Sequence, residues 1–411
     1  MAGPIKRAAA AAASPLRAFL HAESAGGIVL VAAAATALVW ANSPAAEGYI
    51  QFWQQKIALG TGPATVSLDL QHWVNDGLMT LFFFVIGLEI KRELVVGELR
   101  DRRAATLPAL AAVGGVVLPA VIYVAIVGGG EAVRGWGIPM ATDIAFAVGI
   151  LALLGRHASS GAKLFLLSVA IVDDILAIVV IAIFYTERVS LWWLAAAAAG
   201  LLIAVGMRRI GVSSPWSYVP VGVLVWFATL ESGVHATLAG VALGLLTPAR
   251  PVAGRDILDD LEHSLHPVSA FLVIPIFALA NAGVDLRGGA LGDAFGHPLT
   301  WGVVAGLVLG KIIGIGGVTY LVRRLAWGIL PGDMHHREII GVAALGGIGF
   351  TVSLFITDLA FTDAALISQA KVGILTASVV AAVVGATLLL TAPAGTGARP
   401  QSPTNDDRPA R

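Results

Sequence analysis

Cysteine is absent from this 411-residue chain and charge is scarce: Asp, Glu, Lys and Arg make up 13% of it, against roughly 25% in an ordinary soluble domain. The first absence excludes disulfides and thiolate metal sites. Acids and bases balance at 26 each, so no net charge draws the chain to nucleic acid. Apolar residues are abundant at 57% and come in long blocks, such as 167–184, whose only charges are Asp173 and Asp174. Runs of about 20 apolar residues cross a hydrocarbon core roughly 30 Å thick. The class is therefore all-α integral membrane protein.

Apolar windows fall at 25–42, 70–90, 105–127, 135–154, 162–185, 191–207, 216–230, 233–248, 262–282, 299–322, 338–358 and 366–391, which predicts about twelve transmembrane helices. An even number puts both termini on one side. With that side cytoplasmic, twenty Lys and Arg fall inside and only Lys56, Arg134, Arg188 and Arg287 outside, as the positive-inside rule requires. A missed helix would scramble this segregation. The expected organisation is a cytoplasmic leader over 1–24, a membrane domain over 25–392 and a disordered cytoplasmic tail over 393–411. Residues 49–70 alternate around Gly60-Thr61-Gly62-Pro63 and read as a β-hairpin on the outer face, or as an irregular loop.

A charge at mid-bilayer costs roughly 2.5–3.5 kcal/mol on insertion scales, so each one suggests function. Asp143, Asp173, Asp174 and Lys311 lie deepest in their windows. Adjacent residues on a helix point about 100° apart, so Asp173 and Asp174 face different partners. One of them could simply pair with Lys311, but one lysine cannot neutralise three carboxylates. Gly135, Gly137 and Pro139 interrupt the fourth window just before Thr142 and Asp143. A helix broken there frees carbonyls and helix ends for an ion; the lesser alternative is that Asp143 is a plain N-cap. Gly346, Gly347 and Gly349 break the eleventh window in the same way, which makes 105–185 and 300–391 candidate repeats around a midplane site. Oxygen ligands suit a small hard cation, Na⁺ or Li⁺. Crowded carboxylates repel one another, and either a proton or a cation relieves that repulsion, so the two compete for the same oxygens. The cation so held would be a transported one; no structural metal and no cofactor is expected.

At the inner end of the second window stand Glu89, Arg92 and Glu93. Glu262, His263 and His266 open the ninth. His263 and His266 are three apart but lack further metal ligands, so a pH-responsive cluster suits them better. His235 is either part of such sensing or a satisfied helix-end histidine. Lys371 reads as a snorkelling lysine near an outer helix end.

The blocks GLEIKREL, GWGIPMATDIAFAVGILALLG, VAIVDDILAI, SGVHATLAG, LEHSLHP, FALANAGV, LGKIIGI and GGIGFTVSLFI follow in order over residues 24–390. Together they resemble the NhaA family of sodium/proton antiporters. The resemblance implies twelve helices with inverted-topology repeats, two crossed discontinuous helices and a homodimer joined through the periplasmic hairpin. It also implies a bacterial inner-membrane location and electrogenic, pH-regulated exchange of Na⁺ or Li⁺ for protons, not an enzymatic reaction. By the same resemblance Asp174 is the main cation and proton carboxylate, and Asp173 its partner, paired with Lys311 in one protonation state. Thr142 and Asp143 stand at the crossing, and Asp76 lines the inner approach. Glu89, Arg92, Glu93, His235, Glu262, His263 and His266 belong to the pH response. An anion symporter of like architecture would favour arginines over this carboxylate set. An intramembrane protease lacks its motifs here: Asp173 and Asp174 share one helix, and no HExxH occurs.

Overall fold

The computed structural model describes residues 25–59, 66–186, 189–252, 254–328 and 334–392; the expected leader, the expected tail and the hairpin tip lie outside them. The fold is a bundle of apolar helices with one small sheet. Helix α1 (Ala25–Ala41) turns by 116° into α2 (Ala46–Trp53). Strands β1 (Lys56–Leu59) and β2 (Val66–Asp69) follow, antiparallel, with Lys56 opposite Asp69 and Leu59 opposite Val66. The sheet is therefore shorter than the 49–70 window, because its flanks are helical. The chain enters α3 (Met79–Val95) through a wide π turn, Trp73–Leu78.

Four further helices follow. They are α4 (Arg102–Val127), a 3₁₀ segment Glu131–Met140 leading into α5 (Ile144–Leu154), α6 (Ser160–Phe184) and α7 (Leu191–Arg209). Then come α8 (Val219–Glu231), α9 (Thr237–Leu246), α10 (Ile257–Asn281) and the short α11 (Ala290–Gly296). The chain closes with α12 (Pro298–Arg324), α13 (His336–Leu345), α14 (Phe350–Ala360) and α15 (Ala364–Leu390). Side-chain caps start several of them: Asp101 accepts from Arg103 N, Ser159 from Ala162 N, Asp256 from Asp259 N and Asp363 from Ala365 N. In the loop after α10, Arg287 binds both oxygens of Asp285 and holds that carboxyl down to about 2.

Among the described residues, seven helices are long and apolar enough to cross a membrane, nine if each bent pair counts as one crossing. The sequence count of twelve is not reached by this measure. The windows 70–90, 216–230 and 233–248 contain α-helices of only 17, 13 and 10 residues, because wide turns, 3₁₀ turns and tight ends take the rest. The outer faces carry apolar side chains, with Trp192 82% and Leu202 70% exposed. In water such faces would aggregate; against acyl chains they are at home. The chain is a multi-pass membrane protein.

Glycine lets two helix pairs touch backbone to backbone. A Cβ on Gly114 of α4 would stand 2.5 Å from the Gly314 carbonyl oxygen of α12, and one on Gly314 would collide with the Gly114 carbonyl. Between α3 and α9, a Cβ on Gly87 would stand 2.8 Å from the carbonyl of Val241. Small residues supply the close packing that hydrophobic burial cannot supply in lipid. Gly314→Ala should force α4 and α12 apart and cost about 1–3 kcal/mol, the ordinary range for overpacking. Gly206→Ala, with nothing within 4 Å, should be silent. Thermal unfolding of the purified protein in detergent separates the two.

Candidate functional site

Both broken segments fail at a few residues with extended or irregular backbone. The first break, Ala141 to Asp143, lies between the 3₁₀ segment and α5, with Asp143 extended at φ −85°, ψ 100°. The second, Gly346 to Gly349, lies between α13 and α14, whose axes differ by 43°. The two breaks touch. Asp143 N donates to Ile348 O at 2.6 Å, Thr142 Oγ1 to Gly346 O at 2.8 Å, and Ser353 Oγ to Ile138 O at 2.7 Å. Each bond satisfies a carbonyl that the break left without its helical partner.

The Asp143 carboxylate serves two helix starts at once. Its Oδ1 accepts from Phe146 N of α5 at 2.9 Å, and its Oδ2 accepts from Thr351 N at 3.1 Å and Thr351 Oγ1 at 2.7 Å on α14. The residue is 2% exposed. The N-cap reading of Asp143 is thus right and too small: one negative charge answers two positive helix ends.

Asp173 and Asp174 face different surroundings, as their 100° separation requires. Asp173 Oδ2 lies 2.7 Å from Lys311 Nζ, and Lys311 also donates to Thr142 Oγ1 at 3.0 Å. Asp173 is 1% exposed and Lys311 fully buried. The other oxygen of Asp173, Oδ1, has no hydrogen-bond partner among the described residues. Lys311 stands between two wide turns of α12, Gly306–Gly310 and Ile312–Gly317. Wide turns of this kind gather at functional sites because they re-aim a side chain.

Asp174 faces a cavity of about 50 Å³ that runs from Glu89 and His266 past Phe82, Ile86 and Ile274 to Thr142, Asp143 and Thr351. That is room for more than one water. No protein donor bonds the Asp174 carboxylate among the described residues. The three acids therefore differ in what they still have to offer. Asp143 is spent on helix ends, Asp173 is half spent on Lys311, and Asp174 is open.

At the far mouth, His266 Nε2 stands 4.0 Å from Glu89 Oε1, and Arg92 Nη1 binds Glu262 Oε1 at 2.6 Å while its Nη2 lies 4.0 Å from Glu93. Five of the seven residues grouped for the pH response, Glu89, Arg92, Glu93, Glu262 and His266, thus gather here. His263 does not join them: it is exposed, one helical face away from Glu262 and His266. His235 Nε2 lies 2.8 Å from Tyr185 O, at the far end of α6, a helix-end contact well away from this mouth. Asp76, expected on the same approach as Glu89, does not line the cavity. It sits thirteen residues before Glu89, about 20 Å along the helix, at the hairpin end. Its carbonyl accepts from Thr80 Oγ1 and Trp226 Nε1. Thr351 and Ser353 were not singled out in the sequence; hydroxyls two to four residues past a triple-glycine break were the available signal.

A family model described as "Na+/H+ antiporter 1" matches residues 17–389. The chain is 48% identical to Na(+)/H(+) antiporter NhaA 1 of Erythrobacter litoralis (strain HTCC2594), over 95% of this chain and 96% of that one. It is 46% identical to Na(+)/H(+) antiporter NhaA 3 of Frankia alni (strain DSM 45986 / CECT 9034 / ACN14a), over 92% and 88% respectively. With Na(+)/H(+) antiporter NhaA of Janthinobacterium sp. (strain Marseille) the identity is 44%, over 90% and 92%.

Proposed function

The chain belongs to the NhaA family of Na⁺/H⁺ antiporters, and from that premise we propose a secondary transporter that exchanges Na⁺ or Li⁺ for protons at Asp174. The observation that carries the reading is the open carboxylate of Asp174 at the end of the cavity, beside an Asp173 already neutralised by Lys311. A cation entering the cavity meets the carboxylate of Asp174, with Asp173 and its Lys311 partner buried next along the same helix. Its arrival displaces whatever proton Asp174 carries and competes with Lys311 for Asp173. Two protonatable loads, Asp174 and the Asp173–Lys311 pair, then stand against a single positive charge. Exchange of more protons than sodium ions moves net charge, so transport is electrogenic. Proton and cation never share the site, which makes the exchange obligatory once the site faces one side at a time.

On this reading the chain makes twelve crossings of a bacterial inner membrane with both termini cytoplasmic, and the two broken segments are crossed helices in inverted repeats. Glu89, Arg92, Glu93, Glu262 and His266 at the cytoplasmic mouth set the pH response. The hairpin is periplasmic and offers strand edges to a second copy, joining a homodimer. The work done is transport, with no covalent chemistry.

Liposomes holding the purified protein and a preset pH gradient provide the test. Na⁺ and Li⁺ should collapse the gradient and K⁺ should not. A gradient that persists with all three between pH 6 and 9, with folded protein present, would overturn the reading.

A further inference from the structure

Three helices carry one continuous face from the Glu89 mouth toward the hairpin. On α3 the series is Glu89, Ile86, Phe83 and, within the wide turn that precedes the helix, Asn75; on α10 it is His266, Ala270, Ile274, Phe277 and Asn281; on α14 it is Thr351, Phe355 and Asp358. Apart from the steps at the wide turns Trp73–Leu78 and Ser269–Val273, the spacings of three or four keep each series on one side of its helix, and across the second turn His266, Ala270 and Ile274 all line the cavity. The faces meet in layers. Below lies the cavity of Asp174. In the middle, the Phe83 and Phe355 rings are 5.3 Å apart and the Phe277 and Phe355 rings 6.4 Å apart, all three buried. This apolar layer separates the cavity from the hairpin side.

Above the phenylalanines the chemistry changes to amides and charges. Asn75 Nδ2 donates to Asp358 Oδ2 at 3.0 Å, Asn281 Nδ2 to Asn75 Oδ1 at 2.8 Å, and Gln71 Nε2 to Asn281 Oδ1 at 2.9 Å. Lys371 Nζ of α15 stands 3.8 Å from Asp358 Oδ1. Gln71 comes two residues after β2, and Tyr49 OH from α2 donates to the carbonyls of Leu279 and Ala280, just before Asn281. One chain of polar contacts thus joins α15, α14, α3 and α10 to the foot of the hairpin. Packing alone calls for none of this, since apolar residues of equal volume would seal the helices at lower desolvation cost. Polar groups that satisfy one another while shut, and that water can satisfy when the helices part, suit a face wetted in a second conformation.

We propose that Asp358 and Lys371, tied through Asn75 and Asn281 to Gln71, form a latch that keeps the hairpin-side half of the ion path closed in the conformation described here. The latch rests on the exchange reading above, because a closed half matters only to a site served from both sides.

The absence of cysteine makes the test direct. Ile274→Cys places a single thiol in the cavity, and a membrane-impermeant charged thiol reagent is applied to oriented proteoliposomes from each side in turn. With the latch intact, the thiol should react from the Glu89 side. Asp358→Asn or Lys371→Met should each raise the rate from the hairpin side about tenfold, an ordinary size for such couplings. The charge-swapped pair, Asp358→Lys with Lys371→Asp, should bring the rate back toward that of the parent. A loss of packing would not be rescued by the swap. Unchanged hairpin-side labelling in both single variants, once each is shown folded by size-exclusion profile and thermal midpoint, overturns the latch. If either variant fails to fold, Asn75→Ala cuts the same chain at an uncharged link and is held to the same outcome. Labelling needs no sodium, so the two proposals can fail separately. Ion exchange without latch-dependent labelling sinks the latch alone, and latch-dependent labelling without exchange sinks the antiporter reading alone.

Discussion

Asp174→Asn should reduce sodium-driven pH change in liposomes to the level of protein-free membranes. Asparagine keeps the volume of the side chain and its carbonyl oxygen, so the cavity and fold persist. It can neither take up a proton at neutral pH nor offset a cation's charge, and both halves of the exchange need one of those capacities. The prediction is sharp because nothing else at the site is free to substitute: Asp143 already accepts from Phe146 and from Thr351 twice, and Asp173 holds Lys311. Asp363→Asn changes an exposed carboxylate that caps α15 and should leave exchange untouched. Retention of sodium-dependent exchange in folded Asp174→Asn protein would move the ion site to another carboxylate.

Lys311→Met should be the most destabilising single change at the site. The ammonium is fully buried and is the partner of Asp173, whose second oxygen is already without a donor. Breaking a buried pair leaves a charge uncompensated and costs about 3–5 kcal/mol, whereas replacing both partners is often near neutral. Asp173→Asn combined with Lys311→Met should therefore recover most of the loss, a non-additivity expected of residues in direct contact. The single variant should melt lower by something on the order of 5 °C, measured by thermal unfolding in detergent. Equal midpoints for the single and double variants would show that the pair contributes no mutual compensation.

Much of this site was legible because burying charge is costly. Asp143, Asp173, Asp174 and Lys311 stood out as charges deep in apolar windows, and the glycines and Pro139 marked both breaks. Periodicity said that Asp173 and Asp174 differ in partner, but it could not say which of them takes Lys311, since that depends on how α12 is turned by its wide turns. The cluster around Glu89 and Glu262 was only partly readable. A three-residue spacing linked His263 to His266, while the four-residue spacing of Glu262 and His266 is the one that faces Arg92 and Glu89. The resemblance puts Asp76 on the inner approach, yet thirteen residues of rise separate it from Glu89 and it does not line the cavity. Asp358 carries no signal in the sequence and Lys371 reads as a snorkelling lysine, because their relation to Asn75 and Asn281 exists only in three dimensions. The shortness of α8 and α9 was likewise hidden, since hydropathy runs on through residues that the fold spends on turns.

The two wide turns of α12 carry a mechanical consequence. A π turn holds an extra residue relative to an α turn, so it is slack wound into the helix. Drawing that slack out on one side of Lys311 would rotate the neighbouring stretch by about 100°, one residue's worth of helix. The two halves of α12 could thereby swivel with little change in length, and the ammonium between them would trade neighbours by turning on the spot. The buried ammonium that holds Asp173 is mounted on a pivot.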